Sequence, residues 1–545
     1  MRKAQKTQIE ETLALMGKVH EEIRKQIAEG RKENVLQLLN DCQEGAIQAG
    51  NLIEQVEGEE APSLRPIEEY CETCYRIYEN VLQEEPQNPS GIYRLLQKAL
   101  AAVDSSVRLT VPVRLEIAFF CYKASMSDCL ESIYFAAKED PSCDAYFIPI
   151  PYYDKYPNGA FGEMHYEGEG CYPDTYELVD WKKYNVEVRH PDIIYIMNPY
   201  DMQNRVTSVH PDYYAERLRE LTDCLVYVPY YISAGNPAPG MTGNTPGVLF
   251  SDMMFVQSEQ LKDACIEDFL ESSDIEGITL KTAKEKIISM GSPKLDKLVN
   301  TRKEDYPLPE KWEKLVTDAQ NQGKKIVLYN LTILGALNAK GDQGRVYLRK
   351  IREVFEFFQN SQDVLVWFRP HPLLLQTLQS MRPHLAKEYE EIIQGYVNEG
   401  YGIYDDTANL DRALMWVDAC YGDSSSVVMM LEFLGKPVLI QNIENVGSES
   451  VSVRNAENMR KVMDVFTGKE RRLNYVMLET KEEVEQEMAD AQCCMEDFFR
   501  YLDVILEYRE RQLKKTRSKY ANPDGTAGRK IHEYTTGLLR KARRE

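Results

Sequence analysis

Phe368-Arg369-Pro370-His371-Pro372 closes an apolar run that starts at Val364, and Tyr421-Gly422-Asp423-Ser424-Ser425-Ser426 closes another. Between them stands Asp405-Asp406, and beyond them come Glu432 and Gly435-Lys436-Pro437-Val438-Leu439-Ile440. Each piece has the form of a buried strand running into a polar loop, and Val427–Leu434 after the serines reads as a helix. Strands separated by helices imply a parallel sheet, whose ligands lie outside the carboxyl ends of its strands. One histidine, a serine cluster and a helix start therefore fall on one sheet edge. That arrangement suits a diphosphate.

The individual residues support this to different degrees. Pro370 and Pro372 stiffen the backbone on both sides of His371. Its ring can donate to a phosphate oxygen and, as imidazolium, adds positive charge; equally, it can order a proline turn. Arg369 offers a second donor or anchors the loop. Asp423, Ser424, Ser425 and Ser426 combine N-cap residue types with hydroxyls and free N–H groups, and ordinary capping is the plainer alternative. Glu432 can accept from a ribose or face solvent, and Thr332, after Lys325–Tyr329, adds a hydroxyl. No G-x-G-x-x-G follows a strand, and there is no Walker-type lysine loop and no H-E-x-x-H. Asp405-Asp406 is a weak metal signal. The expectation is a donor site without metal and without a cofactor beyond the donor substrate.

Working outward, the second series of strands comprises Lys325–Tyr329, Val364–Phe368, Gly402–Tyr404, Asp418–Tyr421 and Pro437–Gln441. A first series comprises Arg114–Tyr122, Ala145–Tyr153, Asp192–Asn198, Cys224–Ile232, Met253–Gln257 and Ile287–Met290. Ahead of both, Ile9, Leu13, Met16, His20, Ile23 and Ile27 repeat at helical spacing. After Gly30, so do Val35, Leu39, Cys42, Ala46, Ala49 and Ile53. These two stripes predict an antiparallel, coiled-coil-like hairpin, and Ile67, Tyr70, Cys74, Ile77 and Val81 predict a third helix. The division is residues 1–105 helical bundle, 106–292 first α/β domain, 293–508 second α/β domain and 509–545 basic helical tail. The fold class is α/β, two Rossmann-like domains facing a cleft behind an α-helical bundle. The bundle is expected to serve self-association, a homodimer, or docking.

A chain of 545 residues is too long for one core. The net charge of −22 argues against nucleic acid as a partner. From Arg509 to Glu545 there are twelve Lys/Arg against four Asp/Glu, a local +8 that leaves −30 for the rest. Such a tail can touch an anionic membrane. No run approaches the ~20 apolar residues of a membrane span, and the charged start lacks a signal core. A cytoplasmic protein, peripheral at the inner face of the cell membrane, is expected. The twelve cysteines fit reduced, buried thiols, with Cys71 and Cys74 as packing residues.

Residues from about 287 to 535 resemble the CDP-glycerol:poly(glycerophosphate) glycerophosphotransferase family, the teichoic-acid primases and polymerases of cell-wall synthesis. The resemblance rests on Gly291-Ser292-Pro293-Lys294-Leu295-Asp296, Arg369-Pro370-His371-Pro372 and Asp418 through Ile440. Asn522-Pro523-Asp524-Gly525 with Arg529 completes it. It implies a GT-B fold and a nucleotide-diphosphate donor, CDP-glycerol. It places His371 and Ser424–Ser425 on the diphosphate and Glu432 near the nucleotide, with Ser292 in the first motif also on the donor side. The acceptor would be a hydroxylated polyol, glycan or lipid-linked chain in a teichoic-acid-like or capsular polymer.

The N-terminal half departs from that pattern. The family carries a Trp-His-Gly motif whose histidine is its base, whereas Leu225-Val226-Tyr227-Val228-Pro229-Tyr230-Tyr231 has no histidine. Three residues are candidates for its role: His165 in a Gly- and Tyr-rich loop suited to a lid, His210 before Pro211, and Asp201 in Asn198-Pro199-Tyr200-Asp201. His371 joins them as a catalytic candidate. Two other readings stand beside glycerophosphate transfer. One is a GT-B glycosyltransferase with another nucleotide sugar; the other is a GT-B scaffold without catalysis.

Overall fold

The computed structural model describes residues 1–83, 88–156, 158–204, 206–233, 242–272, 277–333, 343–407, 409–441, 450–451, 495–500, 502–507, 513–514 and 516–542. The chain forms two compact units, one of residues 1–118, 137–146 and 186–193, the other of 119–136, 147–185 and 194–545.

In the first unit, α1 (Lys3–Ala28), α2 (Lys32–Glu57), α3 (Leu64–Leu82) and α4 (Pro89–Thr110) close a ring in which each packs on its sequence neighbour and α4 returns to α1. The predicted stripes form its core, with one exception: Gln26 rather than Ile27 is buried at the end of α1. The structure adds α4 to the three expected helices. Asn88 caps it, Pro89 opens it, and Ile92, Leu96, Leu100, Val103 and Val107 supply the fourth stripe. His20 is a core residue, its Nε2 2.8 Å from the Tyr70 hydroxyl, and burial pushes its pKa down to about 4.

The second unit holds one six-stranded sheet whole and the larger part of another. Most of the first sheet lies in this unit. Its strands are β1 (Leu115–Cys121), β2 (Cys143–Pro149), β5 (Ile193–Ile196), β7 (Cys224–Tyr227), β8 (Met253–Val256) and β9 (Ile287–Ser289), in the order β2-β1-β5-β7-β8-β9. β7, β8 and β9 pair in parallel. A separate antiparallel sheet, β4-β3-β6, is built from β3 (Tyr152–Lys155), β4 (Phe161–His165) and β6 (Thr207–Val209). The run expected as one strand, Ala145–Tyr153, is thus divided between β2 and β3, and the expected loop around His165 is the strand β4. Ile150-Pro151 ends β2, and Asn158-Gly159, with Gly159 at φ +84°, turns β3 back as a hairpin.

The second sheet comprises β10 (Lys325–Leu331), β11 (Val364–Pro370), β12 (Ile403–Tyr404), β13 (Ala419–Gly422), β14 (Val438–Ile440) and β15 (Ser450–Val451), in the order β12-β11-β10-β13-β14-β15. All pairs are parallel except β14 with β15. Along β11, Val364, Val366 and Phe368 enter one core while Leu365 and Trp367 enter the other. Alternate side chains point to opposite faces, so an unbroken apolar run means a sheet covered on both sides. The fold is α/β, as expected, with helices ahead of two Rossmann-like sheets.

Three helices join the sheets: α5 (Asp128–Glu139) after β1, α7 (Pro293–Asn300) after β9, and α13 (Ala527–Ala542) near the chain end. (α6 is Ala215–Arg219.) The buried Asp296 carboxylate of α7 accepts from Ala527 N at 3.0 Å, Gly528 N at 2.7 Å and the Ser132 hydroxyl at 2.8 Å. Much of the basic C-terminal segment is thus part of the fold. Ala521 N donates to Gln257 O and Tyr534 meets Phe255 on the first sheet. Among the described residues no helix is long and apolar enough to cross a membrane.

Candidate functional site

In a sheet whose strand order reverses, the crevice at the reversal takes the ligand. In the second sheet the reversal lies between β10 and β13, and the sequence puts its polar residues at that point. Gly422 ends β13 at φ +148°, where an added Cβ would stand 2.0 Å from Asn330 O; a glycine alone permits this approach. The next residue, Asp423, accepts from Thr332 N at 2.7 Å, Thr332 Oγ1 at 3.1 Å and Gln441 Nε2 at 2.6 Å. Its carboxylate therefore straps the ends of β10, β13 and β14 together. Burial pushes its pKa up, and those hydrogen bonds oppose the shift.

Ser425 is the N-cap residue of α12 (Ser426–Phe433), but its side chain does not cap the helix; its Oγ accepts from Asn330 Nδ2 at 3.3 Å. The first-turn N–H groups and the exposed Ser424 and Ser426 thus face outward at the crevice. Glu432 is buried on the same helix. Beyond it, Lys436 donates to Leu414 O, Met415 O and Val417 O, closing the end of α11 (Leu410–Trp416).

His371 adjoins β10 on its other side, and its main-chain N donates to Leu331 O at 2.8 Å. Its Nδ1 accepts from Leu373 N at 3.1 Å, so the neutral ring carries its proton on Nε2. Burial lowers its pKa, which favours a neutral N–H donor over a standing cation. Arg369 points elsewhere. Its guanidinium is 2.7 Å from Asp405 Oδ2 and donates to Thr407 O at 2.7 Å, while Trp367 Nε1 donates to the same carboxylate at 3.0 Å. Of the two roles considered for Arg369, its contacts are those of the loop anchor. Asp405, half of the weak Asp405-Asp406 metal signal, is its partner.

A cavity of about 750 Å³ opens beside His371 between the loop after β12 and the helices α9 (Leu374–Met381) and α10 (Pro383–Glu399). Tyr389, Ile393 and Tyr404 give it apolar walls, and Gln394, Asp406 and Thr407 give it polar ones.

The first sheet reverses between β1 and β5. Two of its three candidates lie there. His165 Nε2 is 2.7 Å from Asp154 Oδ2, and its ring lies 5.2 Å from that of Tyr152. Tyr152 in turn packs edge-on against Tyr122, the residue after β1. In the β3–β4 hairpin Tyr152 lies opposite His165, and Asp154, two residues along β3 on the same face and not among the residues expected at the site, reaches its ring. Asp201 follows β5 in a left-handed conformation at φ +44° and is buried; it accepts from Ala215 N at 2.8 Å at the start of α6. Burial pushes its pKa up to about 7. His210 accepts from Asp212 N through Nδ1 and so caps a short turn, the plainer of its two readings. Ser292 is the N-cap residue of α7, which packs on α12 and α13.

The two carboxyl edges meet across one lysine. Lys297 on α7 lies 3.0 Å from Asp411 and 3.8 Å from Glu131. Glu131 is in the first turn of the helix after β1, and Asp411 is in the first turn of the helix after β12.

No protein-family model and no curated protein matches this chain. Solved structures resemble it at low identity. The wall teichoic acid polymerase TagF is 12% identical over 87% of this chain and 98% of its own, with a TM-score of 0.40. The Methanocaldococcus jannaschii UDP-GlcNAc 2-epimerase, in complex with UDP-GlcNAc and UDP, is 14% identical over 78% and 99%, with a TM-score of 0.39. An E. coli trehalose-6-phosphate protein bound with UDP-2-fluoro glucose is 8% identical over 78% and 99%, with a TM-score of 0.38. At such scores the likenesses carry no weight for the chemistry of this chain, which rests on its own residues.

Proposed function

We propose that this chain is a transferase that moves glycerol phosphate, or a related polyol phosphate, from CDP-glycerol to a hydroxyl acceptor. One observation carries the reading. His371, Thr332 and the uncapped start of α12 follow three neighbouring strands of the second sheet, β11, β10 and β13, and the adjoining cavity begins at the same histidine. The diphosphate lies at the reversal and the nucleoside in the cavity, whose volume falls in the range of small-molecule sites. The N–H groups of α12, the serine hydroxyls and His371 Nε2–H donate to the phosphate oxygens.

The acceptor hydroxyl oxygen attacks the phosphorus that bears the glycerol. The new P–O bond forms as the bond to the bridging oxygen breaks, and CMP leaves with that electron pair. His165 takes the hydroxyl proton on Nδ1, and Asp154 orients the ring and stabilises the imidazolium. The donors at the second sheet offset the charge gathering on CMP.

Phosphorus NMR of the protein with CDP-glycerol and a polyol acceptor tests this. The diphosphate signals are expected to give way to CMP and a phosphodiester. Intact CDP-glycerol with every polyol tried, alongside turnover of a UDP- or GDP-sugar, would move the chain to the nucleotide-sugar reading.

A further inference from the structure

We infer that Asp406 reads the base of the nucleotide donor and selects cytosine over uracil. The inference rests on the proposed donor site and deepens it. Neighbouring strands are spaced by roughly 4.8 Å. In the order β12-β11-β10-β13, the loop after β12 stands three spacings from α12, the helix that follows β13. With the diphosphate at the start of α12, the ribose falls beside His371 after β11. The base, the far end of the nucleotide, then reaches the loop after β12. Asp406 is on that loop, and the cavity of about 750 Å³ that begins at His371 extends to it.

Most polar side chains of the cavity are already engaged. Asp405 is committed to Arg369, and Thr407 Oγ1 donates to Asp405 Oδ1 at 2.7 Å. On α10, Glu390 accepts from Gln379 Nε2 at 3.0 Å, and Lys387, the lysine of the lining, lies 3.8 Å from Glu391. Gln394 donates to Asn398 Oδ1 at 2.9 Å, which leaves its Oε1 as an acceptor. Asp406 is exposed at the cavity, and among the described residues no hydrogen bond or ion pair engages it. With His371 Nε2–H given to the diphosphate, the side-chain groups left open besides the hydroxyls of Tyr389 and Tyr404 are acceptors, led by one carboxylate. Such a lining suits a base that brings donors. Cytosine offers two N–H groups at N4, where uracil offers a carbonyl oxygen. The Asp406 carboxylate accepts from the first and meets the second as acceptor against acceptor. The apolar walls of Tyr389 and Ile393 take either ring, so the choice between pyrimidines falls to the carboxylate.

Calorimetric titration of CDP and of UDP into the full chain and into Asp406→Asn tests it. The wild type is expected to bind CDP at least about tenfold more tightly than UDP. Asp406→Asn should bring that ratio close to one, because an amide offers a donor as well as an acceptor. CDP then binds more weakly and UDP more tightly than in the wild type. The gain for UDP is a result that damage to the loop could not produce. Equal affinities in the wild type, or an unchanged ratio in the variant, would overturn the inference. Turnover of CDP-glycerol alongside either of those results would leave the proposed transfer standing. Binding of neither nucleotide would overturn the donor site and its reading of the base together.

Discussion

His165→Ala is expected to lower kcat for transfer by about 10²–10⁴-fold while leaving donor affinity unchanged. The reason is geometric. Asp154 engages Nε2 at 2.7 Å, so the lone pair on Nδ1 is the one available to take a proton. Removing the imidazole removes the proton's destination and nothing that touches the donor. Asp154→Asn should produce a comparable fall, because an amide can donate to Nε2 and so hold the proton on Nδ1, the wrong tautomer. His210→Ala is the contrast. Its Nδ1 is already accepting from Asp212 N, so the loss is that of a cap, about 0.5–2 kcal/mol of local stability, with kcat retained. Single-turnover kinetics with calorimetric donor titration separate the two effects. Full kcat in His165→Ala would remove it as the base and leave Asp201, whose raised pKa suits proton transfer but whose carboxylate is committed to Ala215 N.

Asp405→Ala is expected to cost about 3–5 kcal/mol of stability. The carboxylate is fully buried, and Arg369, Trp367 Nε1 and Thr407 all converge on it. Truncation leaves a buried guanidinium with one backbone carbonyl and an indole N–H with no acceptor. Arg369→Met combined with Asp405→Leu should recover most of the loss, because two apolar side chains fill the space without an uncompensated charge. Denaturant unfolding of the three proteins checks this. Equal destabilisation of the single and double variants would show that the loop depends on the pair's geometry rather than on burial of an orphan charge.

These two cases also show how far the sequence could be read. Val364–Phe368 and Lys325–Tyr329 were legible because strands buried on both faces are unbroken apolar runs, and the stripes of α1 to α3 because a helix buries one side at a fixed period. The small sheet was harder to see. Its strands are three to five residues long and half exposed, so they lack an apolar run, and only Asn158-Gly159 marked the hairpin. α4 had both a cap and a stripe and could have been read. The roles of site residues depended on partners far along the chain. Asp423 and Thr332 are 91 residues apart, and Arg369 and Thr407 are 38 apart. Local spacing located those side chains at the right sheet edge but could not say whether they face a ligand or each other.

The proposed transfer requires a nucleotide diphosphate held at the carboxyl edge of the second sheet against His371. Calorimetric titration of CDP-glycerol into wild type and His371→Ala, repeated across the pH range where histidine titrates, tests it most directly. In the free protein burial lowers the His371 pKa; a bound diphosphate raises it again, so binding takes up a proton and tightens as pH falls. Binding by the wild type is expected to strengthen on acidification, with His371→Ala weaker by about ten- to a hundredfold and losing that component of the pH dependence. Equal affinity and equal pH dependence in the two proteins would contradict it.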